Sequence, residues 1–146
     1  MLFRSEQQLE VGARIAAAGL APILEPEVSI DSPHKERAEQ LLHDALLEGV
    51  QGLPDGATYL LKLTLPTRPG LYDDLAQDPR IVRVLALSGG YDRDEACARL
   101  THERTMIASF SRALLEGLRY DQSDEEFSAT LERAVEQIYR ASVDRS

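Results

Sequence analysis

Four short, almost wholly apolar segments alternate with helix-forming stretches along this chain, and that alternation limits its fold more than any other feature. The segments are Leu20 to Leu24, Tyr59 to Leu65, Ile81 to Leu87 and Thr105 to Ser109. A strand with one wet face alternates apolar and polar residues. A strand apolar nearly throughout belongs to a parallel sheet covered by helices. The first segment is read as a buried strand despite its Pro22.

The stretches between the strands carry helix signals. Ser5 followed by Gln8 reads as a capping box that opens a helix to about Ala18, which Gly19 ends. Ser32-Pro33 opens a second helix, with Ala38, Leu41, Leu42, Ala45 and Leu46 as its apolar face. Leu71 to Gln77 forms a short helix. Asp92 with Glu95 caps the next, and another runs from Arg112 to about Tyr120. Ser123 with Glu126 caps the last, which turns Phe127, Leu131, Val135 and Ile138 inward.

The pattern is therefore α/β: one domain over residues 1–146, built from four strand–helix units with a parallel sheet. A complete eight-stranded (β/α) barrel takes ~250 residues, so this chain supplies about half of one. A small doubly wound sheet is the competing topology, but no dinucleotide fingerprint supports it.

Composition excludes several function classes. The net charge is −9 and no basic patch dominates, which argues against nucleic acid or an anionic membrane as partner. The longest strongly apolar run, Ile15 to Leu24, is too short to span a bilayer, and Met1 to Ser5 lacks a signal-peptide core. A single cysteine, Cys97, leaves no internal disulfide and no Cys-rich zinc site, and suits a reduced cytoplasmic setting. His34, His43 and His102 show no metal-ligand spacing and are read as structural or surface residues. Cys97 has no paired His and is read as packing, and Tyr91 as a rim or surface residue.

The cations are more informative: 14 are Arg and only two, Lys35 and Lys62, are Lys. Lys62 lies within Tyr59-Leu60-Leu61-Lys62-Leu63-Thr64-Leu65, where a cation is costly. Arginine keeps its proton, whereas burial helps lysine to lose one. Lys62 is thus the first candidate for chemistry.

In parallel α/β folds the functional residues sit at the C-terminal ends of the strands. Here those ends carry Glu25-Pro26-Glu27, Lys62 with Thr64-Leu65-Pro66, Ser88-Gly89-Gly90 and Ser109-Phe110-Ser111-Arg112. Each has a plain reading: a solvated loop, a lysine snorkelling to the sheet edge, a turn, a surface cation. Their recurrence at the same end of successive strands favours one shared mouth. A desolvated lysine amine attacks a ketone to give a carbinolamine and then an iminium, an electron sink that lets the neighbouring C–C bond break. Glu25 or Glu27 can carry the protons. Backbone N–H groups at Ser88-Gly89-Gly90, with Arg112 near a helix N-terminus, suit a phosphate.

Four stretches in this order resemble class I fructose-1,6-bisphosphate aldolase of the bacterial type. They are Pro22-Ile23-Leu24-Glu25-Pro26-Glu27, Leu60-Leu61-Lys62-Leu63-Thr64-Leu65-Pro66, Val84-Leu85-Ala86-Leu87-Ser88-Gly89-Gly90 and Ala108-Ser109-Phe110-Ser111-Arg112-Ala113-Leu114. The resemblance implies the C-terminal half, about strands five to eight, of a TIM (β/α)8 barrel. It implies Lys62 as the Schiff-base lysine, Glu25 as general acid/base and Glu27 as the second acid. It places Ser88, Gly89 and Gly90 on a substrate phosphate, and Ser109 and Arg112 on the triose-phosphate end. The family's reaction is reversible cleavage of fructose 1,6-bisphosphate to dihydroxyacetone phosphate and glyceraldehyde 3-phosphate, in glycolysis, with no metal or other cofactor. The family's first-strand aspartate and its lysines on the third and fourth strands have no counterpart here, so a full active site needs other strands. The alternatives are a non-catalytic sugar-phosphate-binding or interaction module, and a Schiff-base lyase acting on another ketose phosphate.

A half-barrel exposes two strand edges and an apolar inner face. Self-association, or pairing with an N-terminal half-barrel, would relieve both. The isolated chain is therefore expected to be oligomeric or aggregation-prone in light scattering. A clean monomer with a cooperative melt above ~60 °C would contradict this.

Overall fold

The structure, a computed structural model, describes residues 2–144. The elements are α1 (Leu2–Ala17), β1 (Ile23–Leu24), α2 (Lys35–Gln51), β2 (Tyr59–Thr64), α3 (Asp73–Gln77), β3 (Ile81–Leu87), α4 (Arg93–Leu100), β4 (Met106–Ala108), α5 (Arg112–Leu115) and α6 (Asp124–Val143). The four strands form one parallel sheet in the order β1-β2-β3-β4. A doubly wound sheet reverses its strand order at a switch point. This sheet does not, so the competing topology is set aside.

The helices cover one face only. Leu24, Leu61, Leu63, Val84, Ala86 and Met106 point into the helix layer and are buried. The alternate residues point the other way: Ile23 and Arg83 are exposed, and Leu60, Lys62, Leu85 and Ile107 are half-buried. A bulge keeps the two faces in phase. Tyr59 pairs with Ile81 but Leu60 pairs with Arg83, so β3 carries one extra residue there. Ile81, Val84 and Ala86 can then all pack on the helix side, while Leu85 and Leu87 share the open side with Lys62 and Thr64.

The two edges differ. On β4, Ala108 N–H donates to Ser142 Oγ of α6 at 3.1 Å, which blunts that edge. Beside β1 lies a groove of about 310 Å³ lined by Val11, Ile15 and Ile23 among others.

Several helix boundaries move from their expected places. α1 begins before Ser5, whose backbone is helical, so Ser5 is not its cap. Gly19 ends that helix as expected, at φ 80°. β1 shrinks to Ile23–Leu24, although the Pro22 carbonyl still accepts the Leu60 N–H at 2.9 Å. α2 begins at Lys35, because Ser32 Oγ accepts the His34 N–H instead of capping a helix at Pro33. α5 is a single turn, stopped ahead of Gly117 at φ 85°. Asp92 accepts the Glu95 N–H at 2.8 Å, and Ser123 with Glu126 forms the full capping box. α6 packs through Ala134 and Ala141, with Ile138 and Leu131 half-buried, whereas Phe127 and Val135 are exposed. Cys97 is buried, and burial pushes its thiol up to about 11, so it packs rather than reacts. Tyr91 is half-buried under the Arg99 guanidinium, 4.3 Å from the ring centre. Among the described residues no helix is long and apolar enough to cross a membrane.

Two polar anchors fasten α2, one to the loop after β2 and one to α3. Lys35 and Glu39 are buried and ion-paired, and Lys35 Nζ also donates to the Leu65 carbonyl at 2.9 Å and Thr67 Oγ1 at 3.2 Å. Glu39 Oε2 accepts the Thr67 N–H at 3.0 Å, so α2 grips the loop that leaves β2. The apolar face expected for α2 holds at Leu42 and Leu46, but Leu41 is exposed and Glu39 and His43 take buried places. His43 Nε2 lies 2.9 Å from Asp74, joining α2 to α3, and Nδ1 lies 3.1 Å from Asp44. Burial alone would lower its pKa, but the two carboxylates outweigh that and the net shift is upward.

Two outcomes follow. His43 contributes stability in full below its unfolded pKa of 6.5, and that contribution is lost as pH rises through the higher folded value. Melts should therefore show Tm falling as pH rises above 6.5, with the dependence flattened in His43→Gln. Lys35→Met strands the Glu39 carboxylate and should cost about 3–5 kcal/mol in urea unfolding. K35M/E39Q should recover part of that, because the amide oxygen can still accept the Thr67 N–H.

Candidate functional site

All four strands are parallel, so all four exits lie at one end of the sheet. There a cleft of about 150 Å³ is lined by Glu25, Glu27, Lys62, Leu87, Ser88, Gly89, Ser109, Ser111 and Arg112. The expected site residues thus come together, with Gly90 next in the same turn as Gly89. Leu87, the last residue of β3, also lines it, and Ser111 comes with the β4 exit that carries Ser109 and Arg112.

Lys62 reaches the cleft because of pleat alternation. Its neighbours Leu61 and Leu63 point into the helix layer, which puts Lys62 on the open face. Its side chain is 22% exposed, so the apolar run does not bury the amine. Sequence neighbours that face the other way cannot desolvate it, which corrects the expectation of a buried lysine. Glu25 sits one residue past Leu24, itself paired with Leu61, and its Oε2 lies 3.2 Å from Lys62 Nζ. Glu27 is exposed on the same loop.

Thr64 ties this loop down. It lies two residues past Lys62, on the same face, and is buried. Its Oγ1 accepts the Val28 N–H at 2.9 Å and donates to the Val28 carbonyl at 3.0 Å. This clamp escaped the sequence reading, although the i, i+2 spacing from Lys62 was the available signal.

The turn after β3 is closed by Tyr91 N–H donating to the Ser88 carbonyl at 3.1 Å. Gly89 and Gly90 have φ of 66° and 121°, and a Cβ on Gly89 would lie 2.9 Å from Ile30 Cγ2 and 3.3 Å from Thr64 Cγ2. Both the conformation and the close approach call for glycine there. Ser109 is held by its N–H donating to the Ala86 carbonyl at 2.8 Å. Arg112 is exposed at the start of α5. Because α5 is only four residues, its terminus adds no helix dipole of consequence, and the anionic preference expected there rests on the guanidinium itself. Lys35, the other lysine, does not enter the cleft; it is spent on Glu39 and the β2 exit loop. Among the described residues no group of three or more His, Cys, Asp or Glu side chains is placed to hold a metal ion.

The arrangement sets an amine beside a carboxylate, with small polar groups and a guanidinium across a small opening. No family model matches the chain. It is, however, 47% identical over 138 residues to the fructose-bisphosphate aldolase class 1 of Clostridium acetobutylicum, in a match covering 94% of this chain and 47% of that protein. The chain therefore spans about half the length of the curated relative it matches. Over nearly all of its own length, it is similar to class I fructose-bisphosphate aldolase.

Proposed function

We propose that this chain is the C-terminal half, about strands five to eight, of a class I fructose-bisphosphate aldolase barrel, and that it carries the Schiff-base centre. The observation that supports this most is the Lys62–Glu25 pair at 3.2 Å, in the cleft that the Ser88-Gly89 turn, Ser109 and Arg112 also line. The Lys62 amine attacks the C2 ketone of fructose 1,6-bisphosphate, and the carbinolamine loses water to become an iminium. A carboxylate of the cleft takes the C4 hydroxyl proton as the C3–C4 bond breaks; the bond's electron pair passes to the iminium as an enamine, glyceraldehyde 3-phosphate leaves, and the proton remains available for C3. Protonation at C3 and hydrolysis release dihydroxyacetone phosphate and restore the amine. Glu25 carries the protons of imine formation and cleavage, with Glu27 as the second acid. Ser88, Gly89 and Gly90 hold a phosphate by the backbone, while Ser109 and Arg112 hold the triose-phosphate end. The setting proposed is cytoplasmic, in glycolysis.

The same reading accounts for the open face of the sheet. Ile23, Leu60, Leu85 and Ile107 would form the wall of a closed barrel. β1, beside its open groove, would pair with a further strand from an N-terminal half-barrel or a second copy. A second reading is favoured by the partial exposure of Lys62: a sugar-phosphate-binding module without carbonyl chemistry.

Borohydride trapping decides between them. After incubation with dihydroxyacetone phosphate, mass spectrometry should find the reduced adduct on Lys62, little on Lys35, and none at position 62 of Lys62→Met. Phosphate binding without any adduct on Lys62 would favour the binding module. Equal labelling of both lysines would mean that the chain builds no nucleophile pocket.

A further inference from the structure

We infer that Thr64 is a positioning residue, setting the Glu25–Glu27 arm against Lys62; its role in catalysis rests on the reading just proposed. β1 contributes only Ile23 and Leu24 to the sheet, so its backbone pairing stops before Glu25. Beyond that point, the Thr64 hydroxyl takes over by gripping both the N–H and the carbonyl of Val28. Val28 and Thr64 are both buried, which makes each of these bonds costly to lose. The arm is thus pinned at Leu24 and again at Val28, and Glu25 and Glu27 project from the span between the pins.

The Thr64 methyl faces the third exit loop. The space a Cβ would need at Gly89 is bounded by Thr64 Cγ2 and by Ile30 Cγ2 of the same arm. One side chain therefore grips the carboxylate arm with its hydroxyl and bounds the space beside Gly89 with its methyl. It stands on the strand that bears the amine, on the same open side. Lys35 and Glu39 hold the following residues Leu65 and Thr67, so Thr64 itself has a fixed base.

The clamp acts on Lys62 through Glu25, and this can be read without substrate. Competitive acylation followed by mass spectrometry gives the labelling rate of Lys62 against that of Lys35. Pairing with Glu25 shields Lys62, so Glu25→Gln should raise its labelling about two- to fivefold. Thr64→Val keeps the shape but loses both hydrogen bonds. It should raise labelling by a similar factor and add nothing further in T64V/E25Q. Thr64→Ser keeps the hydroxyl and should stay within about twofold of the parent. Hydrogen exchange at the Val28 amide should speed up in T64V and not in T64S. Unchanged Lys62 labelling in T64V, an equal increase in the E25Q background, or T64S labelling as fast as E25Q would each overturn the role of the hydroxyl. Borohydride trapping is run on the same proteins. If the parent forms no adduct on Lys62, the aldolase reading fails, while the acylation pattern still decides the clamp.

Discussion

A parallel sheet covered by helices on one face forces every strand residue to one of two fates. One set, Leu24, Leu61, Leu63, Val84, Ala86 and Met106, is sealed under the helices and supplies the core. The other set faces away: Lys62 reaches the candidate cleft, while Ile23, Leu60, Leu85 and Ile107 lie on the face the helices leave open. The candidate site depends on this division. The lysine stands where it does because its two neighbours are needed on the other side.

The division must hold across strands as well as along them. The bulge at the start of β3 performs that task, since without the extra residue Val84 and Ala86 would swap faces with Leu85 and Leu87. The exits then need fixing laterally: the Ser109 N–H still pairs with the Ala86 carbonyl past β4, but the pairing of β1 stops before Glu25. Side chains make up the difference. Thr64 holds the β1 exit, Lys35 with Glu39 holds the β2 exit, and Ser142 holds the outer edge of β4. These groups lie off the Lys62–Glu25 pair and fix the loops and edges around it.

Much of this was readable in the residues. Gly19, Asp92 and Ser123 end or cap helices as local hydrogen bonding demands, and β3 spans the segment expected of it. The convergence of Glu25, Lys62, Ser88, Gly89, Ser109 and Arg112 on one cleft follows from strands that all run the same way. Leu41, Phe127 and Val135 fit the helical spacing but lie where no other element covers them, and Ser32 spends its hydroxyl on the His34 N–H two residues on instead of capping a helix. The scarcity of lysine pointed to chemistry at Lys62, but it applied equally to Lys35, which a buried carboxylate and a carbonyl turned into an anchor.

The sequence by itself determined the alternation of strands and helices, the parallel direction that short buried strands with helical connections require, and the set of polar residues at the strand ends. Those are consequences of local periodicity and chain connectivity, which the residue order contains directly. Only the tertiary structure decided how deep Lys62 lies, which histidine is buried, where β3 bulges and which side chain clamps the carboxylate arm. Each of these depends on contacts between residues about 20 to 40 positions apart, which arise only when one strand's packing fixes the face its neighbour must show.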